Sequence, residues 1–209
     1  MGNSILAITG PSSCGKDVLC AHLNEKYGFS VLTMSDIIRG TAARCGFSTD
    51  RTDLRSISRA YREIYGPQVY ADQILQEAQE QKIPVVINGV RLRAEVALLQ
   101  EAGIPVVGVT MPMEKRFELM KNRGRPGDPV TMGEFEKLVA IEESGENHDP
   151  YEPNVYQCLQ MADVKIVNNG TLQQLYRKVD YLAESLINVG ECAGYVYHME
   201  GNRPSFKEI

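Results

Sequence analysis

The chain has 209 residues, of which 43% are hydrophobic and 23% are charged, a composition that is ordinary for a globular protein with one substantial core. The net charge of −5 argues against a protein that is held on nucleic acid mainly by phosphate contacts, so DNA stays open as a partner only through a local basic groove. No stretch reaches the roughly 18 apolar residues that a membrane-spanning helix needs, so we expect no membrane partner.

Short apolar runs alternate with helical patterns along most of the chain, which predicts βαβ units and a parallel sheet. The predicted strands cover residues 5–9, 30–34, 84–87, 105–110 and 164–167. The predicted helices cover residues 15–27, 53–65, 69–81, 92–102, 113–122, 131–143 and 171–187, with one more opening at residues 35–36. Gly and Pro interrupt the pattern at residues 124–129, and turn-forming residues dominate residues 144–153.

The first strand leads into Gly10-Pro11-Ser12-Ser13-Cys14-Gly15-Lys16-Asp17, which has the spacing of a phosphate-binding P-loop. Its glycines let the backbone turn so that N–H groups face phosphate oxygens, and Lys16 would reach the β- and γ-phosphates as a point charge. The alternative is a Gly-rich turn that opens an ordinary helix, with Asp17 as a favourable first-turn acid. The candidate nucleotide-binding residues are Gly10, Ser12, Ser13, Cys14, Gly15, Lys16, Asp17 and Val18.

The loop departs from its usual pattern at the last position, where Asp17 replaces a Ser or Thr whose hydroxyl binds Mg²⁺. A carboxylate can ligate Mg²⁺ directly or through water, so Asp17 is a candidate metal ligand. Its negative charge beside the phosphates also means that a metal ion is needed to offset it.

Ser35, Asp36 and Arg39 follow the second strand, at the edge of the sheet where ligands gather in open α/β folds. Asp36 and Arg39 are helix neighbours and together could bind the hydroxyl or phosphate of a second ligand. Asp36 is also a candidate general base and metal ligand. The alternative is a helix that Asp36 caps, with an intrahelical ion pair.

Gly89 and Arg91 close the third strand, where an arginine suits bidentate phosphate recognition and a glycine permits close backbone approach. The alternative is a strand that simply ends in a turn. Arg62 lies on an arginine-rich helix and could reach the same phosphate-bearing ligand, with a solvated helix face as the alternative.

Arg116, Arg123 and Arg125, with Asp128 beyond them, surround the Gly- and Pro-rich break. Arginines on a mobile loop could close over transferring phosphoryl groups and neutralise their developing charge. The alternative is a solvated basic loop. The candidate catalytic residues are therefore Lys16, Asp36, Arg123 and Arg125.

Together these residues resemble the P-loop nucleotide kinases of the nucleoside monophosphate kinase type, over about residues 4–187. The likeness is to adenylate-kinase-like, phage-type deoxynucleoside monophosphate kinase-like and dephospho-CoA kinase-like proteins. Besides the P-loop, it rests on an acceptor segment, an Asp-Gly-x-x-Arg-like segment and lid arginines at residues 34–39, 88–91 and 123–125. Residues 162–163 and 166–171 resemble the last strand and its turn, which in this family lie near the adenine and make Asn168 a candidate contact.

The resemblance implies an α/β P-loop NTPase three-layer sandwich, with a five-stranded parallel sheet of order 2-3-1-4-5 flanked by helices, and a small lid. It implies a kinase domain over residues 1–188, with the lid at about 116–135, acceptor-binding helices at about 35–82 and a C-terminal extension at residues 189–209. It also implies Mg²⁺-dependent transfer of the γ-phosphoryl of ATP, so ATP and Mg²⁺ are the expected cofactors.

One further departure from the family is Asn88, which stands where an Asp is usual. An acid is thus missing at the third strand, while Asp17 adds one at the P-loop. We hypothesise that the two departures compensate each other, with a carboxylate moved from one side of the metal to the other.

The sequence leaves the acceptor open. Its supply of arginines favours a (deoxy)nucleoside monophosphate, because such an acceptor brings its own ionised oxygen. One alternative is a hydroxyl acceptor, such as dephospho-CoA or a hydroxymethylated pyrimidine in a nucleotide or in DNA, for which Asp36 would be the base. The other alternative is a non-catalytic nucleotide-binding switch.

The five cysteines form no C-x-x-C pair, and no signal peptide precedes the first strand, which predicts a reducing, cytoplasmic location. Cys14 in the P-loop is a small neutral filler or an oxidation-sensitive thiol. The sequence also leaves a homodimer through residues 190–209 open.

Overall fold

The computed structural model describes residues 4–124, 128–143 and 149–188 of the chain. Arg125, residues 144–148 of the turn-rich segment and the C-terminal extension at residues 189–209 lie outside the described residues. Within the described ranges, no helix combines the length and the apolar character that crossing a membrane requires.

The strands of the described chain form one parallel sheet. They are β1 (Ile5–Thr9), β2 (Ser30–Thr33), β3 (Val85–Val90), β4 (Val106–Thr110) and β5 (Val164–Val167). Their order is β2-β3-β1-β4-β5, and each pairing is parallel. The predicted order 2-3-1-4-5 is therefore confirmed, together with the P-loop NTPase fold class.

Helices cover both faces of the sheet and complete a three-layer sandwich. They are α1 (Lys16–Tyr27), α2 (Met34–Arg44), α3 (Arg51–Tyr65), α4 (Val69–Glu80), α5 (Arg93–Glu101), α6 (Met113–Arg123), α7 (Met132–Glu143), α8 (Val155–Met161) and α9 (Leu172–Asn188). Leu6 and Ile8 of β1 belong to a core with α1 and α9, whereas Ala7 belongs to a core with α4, α5 and α8. Alternate side chains of the central strand are thus buried on opposite faces, as the period of a strand requires.

Two predicted boundaries at the edge of the sheet are corrected. Strand β3 does not end at Ile87 but continues to Val90, because Gly89, with a φ of +94°, forms a bulge in the ladder with β1. The alternative interpretation, in which the strand simply ends in a turn at Gly89, is therefore wrong. Helix α2 begins at Met34 with Thr33 as its N-cap residue, so Asp36 does not cap it.

Helix α8 was not predicted, because its seven residues carry too little periodicity to be recognised. Its one local signal is Asn154, whose side chain accepts a hydrogen bond of 3.0 Å from the Gln157 backbone N–H and so caps the helix. The segment between the turn-rich residues and β5 therefore contains a helix that packs on α5.

A polar cluster fastens α9 to α1. His22 Nε2 lies 2.7 Å from Asp180, the Tyr27 hydroxyl donates to the same carboxylate at 3.0 Å, and Lys26 pairs with it at 2.9 Å. Partial burial alone would raise the pKa of Asp180, but hydrogen bonds from Lys26, His22 and Tyr27 outweigh it and lower the pKa from 3.8 to about 2. The ionised carboxylate is therefore favoured by the folded state.

Replacing Asp180 with Asn should lower the free energy of unfolding by about 1–2 kcal/mol near neutral pH, because the folded state binds the ionised form more favourably than the unfolded chain does. This stability is fully present above the unfolded pKa of 3.8 and is lost as the pH falls towards about 2, so the deficit of the variant should shrink over that range. Urea unfolding of both proteins from about pH 7 to about pH 3 measures the deficit.

The matched control is Glu184→Gln, which removes an exposed carboxylate from the same helix and should leave the free energy of unfolding nearly unchanged. A deficit in Asp180→Asn that stays constant down to about pH 3 would contradict the role given to its charge.

Candidate active site

The carboxyl ends of β2, β3 and β1 form the edge of the sheet at which the predicted site residues meet. Ile8 of β1 and Thr33 of β2 both pair with Asn88 of β3. The three strands therefore end at the same height of the sheet, where they lead into the P-loop, the bulge of β3 and the start of α2. A Cβ at Gly89 would lie 3.9 Å from Met34 Cβ, which shows how closely α2 approaches β3. The topology therefore brings three of the predicted clusters together.

The P-loop turns from β1 into α1 at Gly15, the N-cap residue, whose φ of +99° is left-handed. A side chain at this φ would be strained, and its Cβ would lie 2.5 Å from Asn168 Nδ2, so both the backbone and the neighbour favour glycine there. Asn168 Nδ2 also donates to the Cys14 carbonyl at 3.1 Å. The turn after β5 thus contacts the P-loop. Its predicted place near the adenine stays a prediction.

The side chain of Lys16 is folded back onto its own loop. Its Nζ donates to the carbonyl oxygens of Gly10 at 2.8 Å and Pro11 at 2.7 Å, and the side chain is buried. The ammonium is therefore held by neutral acceptors, and an anionic phosphate oxygen in their place would make stronger, charge-assisted hydrogen bonds.

The Cys14 thiol is buried in the loop, and burial raises its pKa above the usual 9.0, although the charges of Lys16 and Arg116 oppose the shift. A buried thiol that stays protonated is a poor nucleophile and a poor target for oxidants. These features favour the interpretation of Cys14 as a neutral filler.

The two departures from the kinase pattern are in direct contact. Asn88 donates from Nδ2 to Asp17 Oδ1 at 3.0 Å, although the two residues are 71 positions apart. Asp17 is exposed, whereas Asn88 is buried and its Oδ1 has no hydrogen-bond partner in the described part of the chain. Two neighbouring side chains therefore offer the carboxylate and amide oxygens that Mg²⁺ accepts as ligands.

A metal ion at this position would need further ligands from outside the protein. No group of three or more His, Cys, Asp or Glu residues that could hold a metal ion occurs among residues 4–124, 128–143 and 149–188. Mg²⁺ commonly keeps one or two protein ligands and completes its shell with water and substrate phosphates. The donor set at Asp17 fits that mode of binding.

Asp36 and Arg39 form an ion pair on α2. Arg39 Nη1 donates to Asp36 Oδ1 at 2.6 Å and to Ser35 Oγ at 3.1 Å, and half or more of each charged side chain is exposed. The intrahelical pair considered from the sequence is thus present. A ligand can reach both groups, and their roles in binding an acceptor or a metal stay predictions.

Two arginines of the predicted lid, Arg116 and Arg123, already have protein partners. Arg123 makes two hydrogen bonds to the Asp128 carboxylate, at 2.9 and 3.1 Å. Arg116 is buried on α6, directs Nη1 to the Ser12 carbonyl at 3.5 Å and has its guanidinium carbon 5.4 Å from the centre of the Phe135 ring. Helix α6 therefore carries both Arg116, which contacts the P-loop, and Arg123, which pairs with Asp128.

Arg62 does not lie on a solvated helix face, so that alternative is wrong for this residue. It is buried and pairs with Glu95, with 3.1 Å between Nη2 and Oε1. Glu95 also accepts hydrogen bonds from the backbone N–H groups of Arg91 at 2.9 Å and Leu92 at 3.0 Å. Glu95 was not predicted as a site residue; its only local signal is an acid at the third position of a helix, which is typical of a helix start.

Solved structures share this fold at low sequence identity. The protein TT1252 from Thermus thermophilus is 17% identical with a TM-score of 0.57, and the match covers 93% of this chain and 100% of that one. A shikimate kinase from Acinetobacter baumannii is 17% identical with a TM-score of 0.52, over 90% of this chain and 94% of that one. A gluconokinase from Sinorhizobium meliloti 1021 is 16% identical with a TM-score of 0.50, over 90% of this chain and 97% of that one.

Curated relatives carry the name UPF0200 protein. The relative from Aeropyrum pernix is 29% identical over 199 residues, which is 91% of this chain and 95% of that protein. The relative from Hyperthermus butylicus is 31% identical over 100 residues, which is 47% of this chain and 53% of that protein. The chain thus spans about half the length of this relative.

A family model described as an AAA domain matches residues 9–128, from the last residue of β1 to the partner of Arg123. The match includes the P-loop, the Asp36–Arg39 pair and the Gly89 bulge, and it spans more than half of the chain. The chain therefore belongs to this AAA domain family, AAA_17.

Proposed function

We propose that the protein is a Mg²⁺-dependent phosphotransferase that moves the γ-phosphoryl of ATP to a nucleotide acceptor, a (deoxy)nucleoside monophosphate. The observation that carries this proposal is the joint position of the P-loop lysine, the Asp17–Asn88 contact and the Asp36–Arg39 pair at one edge of the sheet. Two solved neighbours with this fold are named as kinases, which supports the same general class.

The donor site would form by an exchange of partners around Lys16. Its ammonium would leave the carbonyl oxygens of Gly10 and Pro11 for the phosphates of the nucleotide. Backbone N–H groups at the start of α1 and the partial positive charge of the helix end would bind the same phosphates. The chain would thus hold the donor mainly through its backbone and one point charge.

Asp17 would hold Mg²⁺, with Asn88 as its support. The Nδ2 donor of Asn88 fixes one carboxylate oxygen of Asp17 and leaves the other free to face a metal ion. When bound, the ion would neutralise charge on the transferring phosphoryl group. This arrangement supports the hypothesis that the two departures from the family compensate each other.

The acceptor would bind beside α2 and the end of β3. The exposed Arg39 can exchange Asp36 for an anionic group of the acceptor, and Arg91 follows on the same edge of the sheet. A phosphate acceptor needs no base, so positioning and charge neutralisation are enough for catalysis.

A hydroxyl-directed kinase is the second candidate, and one observation favours it. Asp36 is exposed at the same site and could take a proton from a hydroxyl. In that case Asp36 is the general base rather than a binding residue.

An assay of ADP release tests the proposal, with ATP, Mg²⁺ and a panel of acceptors. The panel contains the ribo- and deoxynucleoside monophosphates, dephospho-CoA, 5-hydroxymethyl-dUMP and hydroxymethylated DNA. We expect turnover with a monophosphate, and Arg39→Ala should lower kcat/KM for it by about 100-fold while ATP binding is unchanged, because in the proposed site Arg39 would bind the acceptor and not the donor. Arg177→Ala, which removes an exposed arginine from α9, is the control.

Turnover with a hydroxyl acceptor alone would replace the proposal by the second candidate. Slow hydrolysis that no acceptor accelerates, with ATP still bound, would identify a nucleotide-binding switch instead.

Asp17→Ala should lower kcat/KM by about 100-fold or more and raise the Mg²⁺ concentration needed for half-maximal activity, because the variant loses its carboxylate ligand. Asn88→Asp alone should also be impaired, because it places two carboxylates at hydrogen-bond distance. The double variant Asp17→Ser with Asn88→Asp restores the usual family pattern and should regain activity over either single variant. The activity of the wild type, of Asp17→Ala, of Asn88→Asp and of the double variant is titrated with Mg²⁺.

An Mg²⁺ dependence that Asp17→Ala leaves unchanged would contradict the metal role of Asp17. A double variant no more active than the better of the two single variants would contradict the compensation between the two positions.

Arg123→Ala should lower kcat by about 100-fold and weaken ATP binding by less than about threefold, because Arg123 would leave Asp128 for the phosphates only when the lid closes. Steady-state kinetics and equilibrium binding of ATP separate the two effects. Lys121→Ala is the control, since Lys121 is an exposed cation in the same turn of α6. Equal losses in kcat and ATP affinity would count against a lid that closes on the reacting phosphates.

A further inference from the structure

Glu95 is a buried carboxylate that the proposed reaction has not used. It is 0% exposed, and its two oxygens receive three hydrogen bonds, from the Arg62 guanidinium and from the backbone N–H groups of Arg91 and Leu92. The backbone bonds anchor the start of α5, which a Gln at this position could also do. The negative charge of Glu95 is therefore needed for its ion pair with Arg62 and not for the start of α5.

Arg62 is buried in a way that folding alone does not explain. Its Nε is buried without a hydrogen-bond partner in the described residues, and its guanidinium carbon lies 5.2 Å from the centre of the Tyr70 ring. A buried guanidinium N–H that lacks an acceptor lowers stability, and apolar side chains often serve a fold better than a buried ion pair does. Such a pair is therefore consistent with a group that is kept for a ligand.

The Glu95 carboxylate joins two elements of the proposed acceptor site. It holds the head group of Arg62 from α3 with one oxygen and the backbone of Arg91, two residues after the Gly89 bulge, with the other. Two of the three arginines that were expected to bind an acceptor phosphate are thus joined by one side chain, Arg62 through its guanidinium and Arg91 through its backbone.

We propose that Glu95 is a positioning residue for the phosphate group of the acceptor, a role that rests on the proposed function. Glu95 orients the guanidinium of Arg62 and fixes the backbone from which Arg91 extends, so that both cations address one acidic group. It touches neither the donor nucleotide nor the reacting atoms. Its loss should therefore weaken recognition of the phosphate of the acceptor and leave the donor site intact.

The test is Glu95→Gln, which keeps the backbone bonds of α5 and removes the charge that holds Arg62. With the monophosphate that the wild type turns over, we expect the KM of the acceptor to rise at least tenfold, with kcat within about threefold and the KM of ATP unchanged. Calorimetric binding of AMP, GMP, dCMP and dTMP, each against its nucleoside, should show that the variant has lost the preference for the phosphate.

Arg62→Lys is the second variant, because it keeps a positive charge beside Glu95 and removes the planar fork. It should raise the KM of the acceptor as Glu95→Gln does, and the double variant should be no worse than either alone. The matched control is Gln100→Met at the other end of α5, where a buried side chain bonds to Asp163 and to the Met161 carbonyl. The control should lower the thermal midpoint and leave the KM of the acceptor unchanged.

A Glu95→Gln variant with a lower thermal midpoint but the wild-type acceptor KM and phosphate preference would overturn the positioning role alone. Failure of the wild type to release ADP with every acceptor would overturn the proposed function and the role of Glu95 with it. If Glu95→Gln does not fold, an unchanged acceptor KM in Arg62→Lys overturns the proposal equally.

Discussion

The burial of β1 on both faces is the constraint on which the rest of the structure depends. Its side chains alternate between two cores, one shared with α1 and α9 and the other with α4, α5 and α8. The strand therefore cannot shift by one residue without exchanging its two faces, and its end is fixed relative to the neighbouring strands. Because β3 pairs with β1 and β2 in register, Asn88 and the start of α2 are fixed relative to the P-loop.

The charged groups at this edge are held by one another. Lys16 is bound by loop carbonyls, Asp17 by Asn88, and Arg39 and Arg123 by nearby carboxylates. Each group thus has a defined position before a ligand arrives, at the cost of a partner that the ligand must replace. In the proposed reaction, an anion or a metal ion compensates every broken contact with a stronger, charge-assisted one.

The apolar runs were enough to predict the strands, since parallel strands are buried on both faces and carry a strong local signal. The resemblance to P-loop kinases supplied their order, which no local pattern contains. Helix α8 was missed because only Asn154 marks it, and the end of β3 was missed because Gly89 is typical of a turn but here forms a bulge. Contacts such as those of Asp17 with Asn88 and of Arg62 with Glu95 join residues far apart in the chain, so only the fold reveals them.

The folded-back position of Lys16 has a kinetic consequence. The carbonyl oxygens of Gly10 and Pro11 accept hydrogen bonds from the ammonium, and oxygens so directed repel an anion that approaches it. In the proposed reaction, nucleotide binding would therefore include a first-order step in which the lysine is released from these two carbonyls. A free phosphate ion would make fewer contacts than a triphosphate to offset that release, so the proposed donor site would favour the larger anion.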